Sequence, residues 1–188
     1  KVRVVDVDAR AVVAMLEGHK KEVITTLAAL PDGTLASSSS NGSLRVWNVA
    51  ARTCVAILTK NAACLAVLAD GRLASAARDD DVVRLWDVGA RACVGMLSGH
   101  TGDVTAMTAL LDGRFATASE DGAIRLWDTR PAATAGASRA VGTVPVAVWG
   151  RLGGHARVLA SLPDGRLVCG DEDGTLSLLE LPPPAATC

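Results

Sequence analysis

The stretch Ala118–Asp128 reads ASEDGAIRLWD. Thr117 stands directly before it, and His100 lies upstream, just after Gly99. Histidine, hydroxyl and carboxylate are the parts of a hydrolytic triad. They are equally the parts of a buried hydrogen-bonded relay that holds a scaffold in one geometry. The rest of the chain decides between the two readings.

The end of the stretch recurs. VRVVD (Val2–Asp6), LRVWN (Leu44–Asn48), VRLWD (Val83–Asp87), IRLWD (Ile124–Asp128) and LSLLE (Leu176–Glu180) share one pattern. Their fourth residues, Val5, Trp47, Trp86, Trp127 and Leu179, lie 42, 39, 41 and 52 residues apart. Asp-Gly pairs keep step at Asp32-Gly33, Asp70-Gly71, Asp112-Gly113 and Asp164-Gly165, each followed by an apolar run. Gly-His pairs do the same at Gly18-His19, Gly99-His100 and Gly154-His155, with Lys60-Asn61 in their place in the second unit. A fixed period of this size marks a repeat architecture.

Within a unit, short apolar or alternating runs separated by turn residues read as strands. In the third unit they fall near Ala92–Leu97, Val104–Ala109, Phe115–Ser119 and Ala123–Trp127. Asp-Gly and Asn-Gly tolerate positive φ and mark the hairpins. Four-strand meanders cannot bury both faces alone, but radial packing against neighbours solves the problem. The period, the Gly-His, the Asp-Gly hairpins and the closing Trp-Asp together resemble the WD-repeat family of β-propellers. The resemblance implies an all-β propeller of four-stranded antiparallel blades with about four blades present. The expected units are 17–59, 60–97, 98–153 and 154–181, after two strands of a preceding blade in 1–16 and before a Pro-rich tail in 182–188. A propeller of about seven such units would need roughly 290 residues, so a part of a larger ring is expected here.

The resemblance also assigns the polar residues. Each good unit holds a buried chain from the third-strand Trp through a second-strand hydroxyl and the histidine to the Asp of the last turn. In the third unit these are Trp127, Thr117, His100 and Asp121; in the first they are Trp47, Ser37, His19 and Asn41. The second has Trp86 and Ser75, no histidine, and an unassigned Asp among Asp79-Asp80-Asp81. The fourth has His155 and Asp173, but Cys169 replaces the hydroxyl and Leu179 the Trp. All three histidines of the chain occupy Gly-His positions, which leaves none as a free general base or metal ligand. No G-x-G-x-x-G loop occurs, so no catalytic residue, cofactor or metal is expected.

Composition agrees. Hydrophobic residues make up 49% and charged residues 21%, with a formal charge of −1. That is a globular balance with no electrostatic case for nucleic acid or a membrane surface. No apolar run reaches the ~18 residues of a membrane span. The five cysteines, Cys54, Cys64, Cys93, Cys169 and Cys188, contain no C-x-x-C and suit a reducing compartment, the cytoplasm first, with cytoskeleton, cilium or nucleus also open. Cys64, Cys93 and Cys169 read as small core residues.

Two irregularities stand out. The long last spacing places an extra loop at about 130–143, and Asp164 follows His155 by only nine positions, which predicts a clipped or irregular inner strand in the fourth unit. Other proteins are the expected partners, within a multi-subunit complex, with self-association through open blade edges. The alternatives are a permanent subunit of a cytoskeletal or ciliary assembly and a ubiquitin-ligase adaptor. The family pattern puts partner contacts on the upper face, at Glu22, Ile24 and Ser40 in the first unit, at Asp103, Thr105 and Glu120 in the third and at Glu172 in the fourth. Trp149, outside the Trp-Asp register, is either an edge-strand cover or an exposed anchor.

Overall fold

The computed structural model describes residues 1–19, 22–59, 62–77, 80–129, 145–150 and 155–183. The loop at 130–143, Lys60-Asn61, Asp79, Gly154 and the last five residues of the tail lie outside the described residues. Strands β1 (Val2–Asp6) and β2 (Ala11–Leu16) form a two-stranded antiparallel sheet. Three four-stranded meanders follow: β3 (Ile24–Ala29) to β6 (Thr53–Thr59) through β4 (Thr34–Ser39) and β5 (Leu44–Asn48); β7 (Cys64–Val67) to β10 (Ala92–Leu97) through β8 (Leu73–Ala76) and β9 (Val83–Asp87); β11 (Val104–Ala109) to β14 (Ala147–Trp149) through β12 (Phe115–Ser119) and β13 (Ile124–Trp127). A three-stranded sheet, β15 (Ala156–Ser161), β16 (Leu167–Asp171) and β17 (Leu176–Leu179), completes the set. The first strands β3, β7, β11 and β15 lie side by side in succession, which is the radial order of propeller blades.

Turn chemistry fixes the hairpins. In the third blade Gly113 adopts φ 87°, and the Asp112 carboxylate accepts the Arg114 amide at 3.0 Å. The carboxylate or amide that ends β1, β5 and β9 closes the next hairpin. Asp6, Asn48 and Asp87 each accept, through Oδ1, the amide three residues on at 2.8 Å. That bond lets Arg10, Arg52 and Arg91 sit at φ 49–58°, where a residue other than glycine is uncommon.

The core is divided into layers between sheets. Val2 and Leu16 pack on Trp47. Ala36 and Leu44 of the first blade pack on Leu65, Leu73 and Trp86 of the second. Val83 and Leu85 of the second meet Phe115 and Trp127 of the third, and Ile124 and Leu126 of the third meet Leu167 and Leu179 of the fourth. Each four-stranded blade thus has a forward face, carried by the first and third residues of its third strand. Its back face carries the Trp.

Three expectations change. Ala92–Leu97 pairs with β9, so it is the outer strand of the preceding sheet and not a strand of the third. The fourth unit's inner strand is not clipped. β15 has six residues, as β11 does, but starts directly after His155, whereas three residues separate His100 from Val104. The missing residues come from the loop. Cys93 is exposed, because β10 is an outermost strand; Cys169 is buried and Cys64 partly so.

Candidate functional site

The third blade assembles the full relay. The indole N–H of Trp127 donates to Thr117 Oγ1 at 2.8 Å, and Thr117 Oγ1 lies 2.7 Å from His100 Nε2. An indole N–H can only donate, so Thr117 accepts it and passes its own proton to Nε2. Nδ1–H is then left for Asp121 Oδ2 at 3.0 Å. This assigns the tautomer from the network. Arg125 Nη1 pairs with the same carboxylate oxygen at 2.7 Å. It also lies 2.5 Å from Nδ1, a close approach between two donors and not a bond. Burial holds the His100 imidazole below its ordinary pKa, against the pull of Asp121. Burial would raise the Asp121 carboxyl, but the amides of Ala123 and Thr101, together with His100, outweigh it and bring the pKa down to about 2.

The order Thr–His–Asp is that of a triad, yet Thr117 is completely buried and its oxygen is capped by the indole. No substrate can reach it. Gly99 and Gly18 explain the residue before each histidine. A Cβ at Gly18 would come within 2.7 Å of the Trp47 ring, and Gly99 sits at φ 149° under Trp127.

The first blade reaches the same end by another route. Trp47 donates to Ser37 and Ser37 meets His19 Nε2, at 2.8 and 2.7 Å. His19 Nδ1 then turns to Ser43 Oγ at 2.9 Å and faces Glu22 Oε2 at 3.3 Å, with no bond to Asn41. Asn41 instead donates to Glu22 Oε1 and accepts the Ser43 amide at 3.0 Å. The anchor expected at Asn41 is therefore supplied by Glu22, because an amide brings no charge and a carboxylate stands within reach. Hydrogen bonding from Ser39, and then from His19, keeps Glu22 below the ordinary carboxylate range.

In the second blade Trp86 donates to Ser75 at 2.8 Å, and Asp80 is the turn residue. It accepts the Val82 amide and pairs with Arg84, as Asp121 does with Ala123 and Arg125. In the fourth, His155 and Asp173 do not meet. His155 Nε2 lies 3.9 Å from Glu172, and its Nδ1 is buried without a partner among the described residues. Asp171, at the place of Ser119, takes the Asp173 and Thr175 amides and leaves Asp173 outside.

The upper-face residues divide. Asp103, Thr105 and Glu120 line one cleft of ≈ 240 Å³ with Ala63, Val104 and Arg157. Arg157 bridges Glu120 at 3.2 Å and Glu172 at 2.9 Å across the third and fourth blades. The Thr105 hydroxyl donates to the Ala156 carbonyl, which fixes the same junction. Two positions in the first blade are corrected. Ser40 N bonds Val23 O as Glu120 N bonds Asp103 O, and Ile24 pairs with Ser39 as Val104 pairs with Ser119. Val23 and Thr25 are therefore the rim positions, while Ile24 packs inward and Glu22 belongs to the relay. The adjacent apolar pair Val23-Ile24 left the register open by one residue. Ser40 is exposed. Trp149 is a half-buried edge-strand cover packed on the layer between the third and fourth blades.

Two sets of residues went unread in the sequence. The third-strand arginines Arg45, Arg84 and Arg125 recur in register, and that recurrence was the available signal. For Arg157 the signal was the Asp-Gly register, since it lies seven positions before Asp164 as Thr105 lies seven before Asp112. A bulge between Ala156 and Val158 aims it into the cleft.

Comparison with known proteins follows this geometry. The family model described as WD domain, G-beta repeat matches residues 10–48, 52–87 and 91–128. A sequence search among curated proteins finds no match. Among solved structures, the chain is similar to one titled "Crystal structure of RRP9 WD40 repeats", with 19% identity, TM-score 0.73, and coverage of 87% of this chain and 49% of that one. It is also similar to a chain of "Crystal Structure of Mitotic Checkpoint Complex", with 20% identity, TM-score 0.73, and coverage of 89% and 50%. A third is "Crystal structure of WD40 beta propeller domain of Doa1", with 16% identity, TM-score 0.70, and coverage of 87% and 52%. The chain spans about half the length of these matched chains.

Proposed function

The chain belongs to the WD domain, G-beta repeat family, and on that premise we propose that it is a non-catalytic interaction scaffold that helps assemble a multi-protein complex. The family is generally non-catalytic and generally binds other proteins. One observation supports the reading most directly. The upper end of the third blade gathers Asp103, Glu120 and Thr105 around a cleft, on strands held rigid by the relay beneath. Rigid sheets that present loops suit recognition. Arg157 occupies two of the surrounding carboxylates, Glu120 and Glu172, whereas Asp103 pairs with no cation among the described residues. The partner segment is accordingly basic, with a cation for Asp103.

The test is affinity purification with mass spectrometry of the wild-type chain against Asp103→Lys with Glu120→Lys. Loss of a discrete set of partners, with the thermal midpoint unchanged, is the expected result. An unchanged partner set from a folded variant overturns the reading of this face.

A further inference from the structure

We propose that the lower cleft between the first and second blades is a docking site for an arginine side chain of a basic partner segment. The cleft lies at the Asp-Gly turns, at the opposite ends of the strands from the upper face. Its volume is ≈ 210 Å³, and Asp32 of the first blade and Asp70 and Asp87 of the second line it. That is less than the ~300–1,000 Å³ of a small-molecule pocket, so it suits one long side chain. Three carboxylates share one guanidinium, that of Arg72, which pairs with Asp70 at 2.6 Å. Asp32 and Asp87 pair with no cation among the described residues. Their Oδ1 atoms take the amides of Thr34 and Ala90 at 2.9 and 2.8 Å, which leaves each Oδ2 for a donor from outside. Hydrogen bonding from Thr34 holds Asp32 below its ordinary pKa, so it carries its charge.

The next junction specifies the occupant. There Arg72 follows Asp70-Gly71. Its Nε donates to Asp70 at 2.7 Å, and its Nη2 donates to the carbonyl of Thr129, two residues after Trp127, at 2.7 Å. At the first junction the matching acceptors are the Asp32 carboxylate and the carbonyl of Val88, two residues after Trp86, and both residues line the cleft. Thr34 stands in the place of Arg72, and its hydroxyl ends on Asp32 Oδ1 at 2.6 Å. The Val88 carbonyl accepts the Arg91 amide at 3.3 Å and keeps a lone pair. The cleft thus repeats the acceptors of Arg72 without a guanidinium to match them. Pro31 and Val88 give apolar walls for an alkyl stem. Among the described residues no three acidic, cysteine or histidine side chains stand close enough to hold a metal ion. Separated carboxylates suit a planar fork. A similar cleft of ≈ 220 Å³ between the third and fourth blades gives the contrast. Its Asp112 and Asp164 are already paired, with Arg114 and Arg166, at 2.6 Å each. The inference does not depend on the upper-face reading above.

The probe is the peptide acetyl-Gly-Arg-Gly-amide, titrated at low salt into the isotope-labelled full chain and read by NMR, with the lysine and citrulline peptides beside it. The amides of Gly33, Gly71 and Gly89 should shift saturably with the arginine peptide. Binding should be at least about threefold weaker with lysine, and absent with citrulline, which keeps the shape and lacks the charge. Asp32→Asn with Asp87→Asn should weaken binding by about tenfold, as expected for charge-assisted bonds. The hairpin survives that change, because Asn48 already accepts the matching amide in the first blade. Thr34→Arg should abolish binding by placing a guanidinium of the chain itself on the same acceptors. Asp103→Lys with Glu120→Lys should leave it unchanged, which separates this cleft from the upper one. No shift at the three glycines overturns the proposal. So do equal shifts at Gly113 and Gly165, an equal response to lysine or citrulline, or binding that survives either the paired Asn substitutions or Thr34→Arg.

Discussion

Thr117 and His100 share a geometry with hydrolases because both problems need a neutral imidazole held in one tautomer. The pKa directions make this testable. Asp121 is depressed from 3.8 to about 2, so its contribution is complete above the ordinary value and is lost as pH falls from about 4 toward 2. That contribution is roughly 2 kcal/mol. His19 and His100 are both held below 6.5 by burial, so the fold favours their neutral forms and loses stability as pH drops through that value. Urea denaturation across pH should therefore show a first decline below about 6.5 and a second below about 4. Asp121→Asn should shrink the second decline, to which the lowered Glu22, Asp70 and Asp164 carboxyls also contribute, and lower stability at pH 7 by about 2 kcal/mol.

Glu22 allows a sharper test. Asn41→Asp in the wild-type background places a second carboxylate against Glu22, although it also offers Arg45 the partner that Arg84 and Arg125 have. In a Glu22→Gln background only the gain remains. A double-mutant cycle should show Asn41→Asp raising the thermal midpoint more with Gln at position 22 than with Glu. Equal effects in both backgrounds would remove Glu22 from the relay. The sequence showed the histidines and hydroxyls of this relay but not the Glu22 substitution, because no spacing rule links a residue before the first strand to a hairpin across the sheet.

At the scale of the element, the blades differ in how completely the relay is built. The third has all four members, the first has a displaced anchor, and the second keeps only Trp86 on Ser75 among the described residues. The fourth has Cys169 and Leu179, with a histidine Nδ1 buried and unpaired among the described residues. Its forward face is also uncovered. Native-state hydrogen exchange should open β15–β17 first and β11–β13 last. Protection of β15–β17 equal to that of β11–β13 would show that the relay contributes little. Strand positions were legible because Asp-Gly hairpins and short apolar runs are local signals. For β10 two placements were open in the sequence, the end of the unit 60–97 and a strand of the third unit, because the sequence repeat starts one strand out of phase with the hydrogen-bonded sheet, and pairing with β9 selects the first.

Across the whole molecule, blades are joined by apolar layers and by a few polar clamps. Arg72, after the Asp70-Gly71 turn, donates from Nη2 to the Thr129 carbonyl at 2.7 Å and to its hydroxyl at 3.0 Å, linking the second blade to the end of the third. Arg72→Met should cost about 1–2 kcal/mol, as expected for charge-assisted bonds in a partly buried setting. Exchange should rise in both blades together. A rise confined to the second blade would show the clamp to be local.

The amino-acid sequence by itself determined the repeat and the strand-and-turn order, because each follows from spacing and turn residues within one unit, and its resemblance to the WD-repeat family pointed to the relay of the third blade. Only the tertiary structure decided what depends on neighbours. It showed that Glu22 anchors His19, that a bulge carries Arg157 into the upper cleft, and that Leu176 and Leu178 stand uncovered where their counterparts are buried. The physical reason is that a face of a blade is the same in sequence whether or not another blade lies on it.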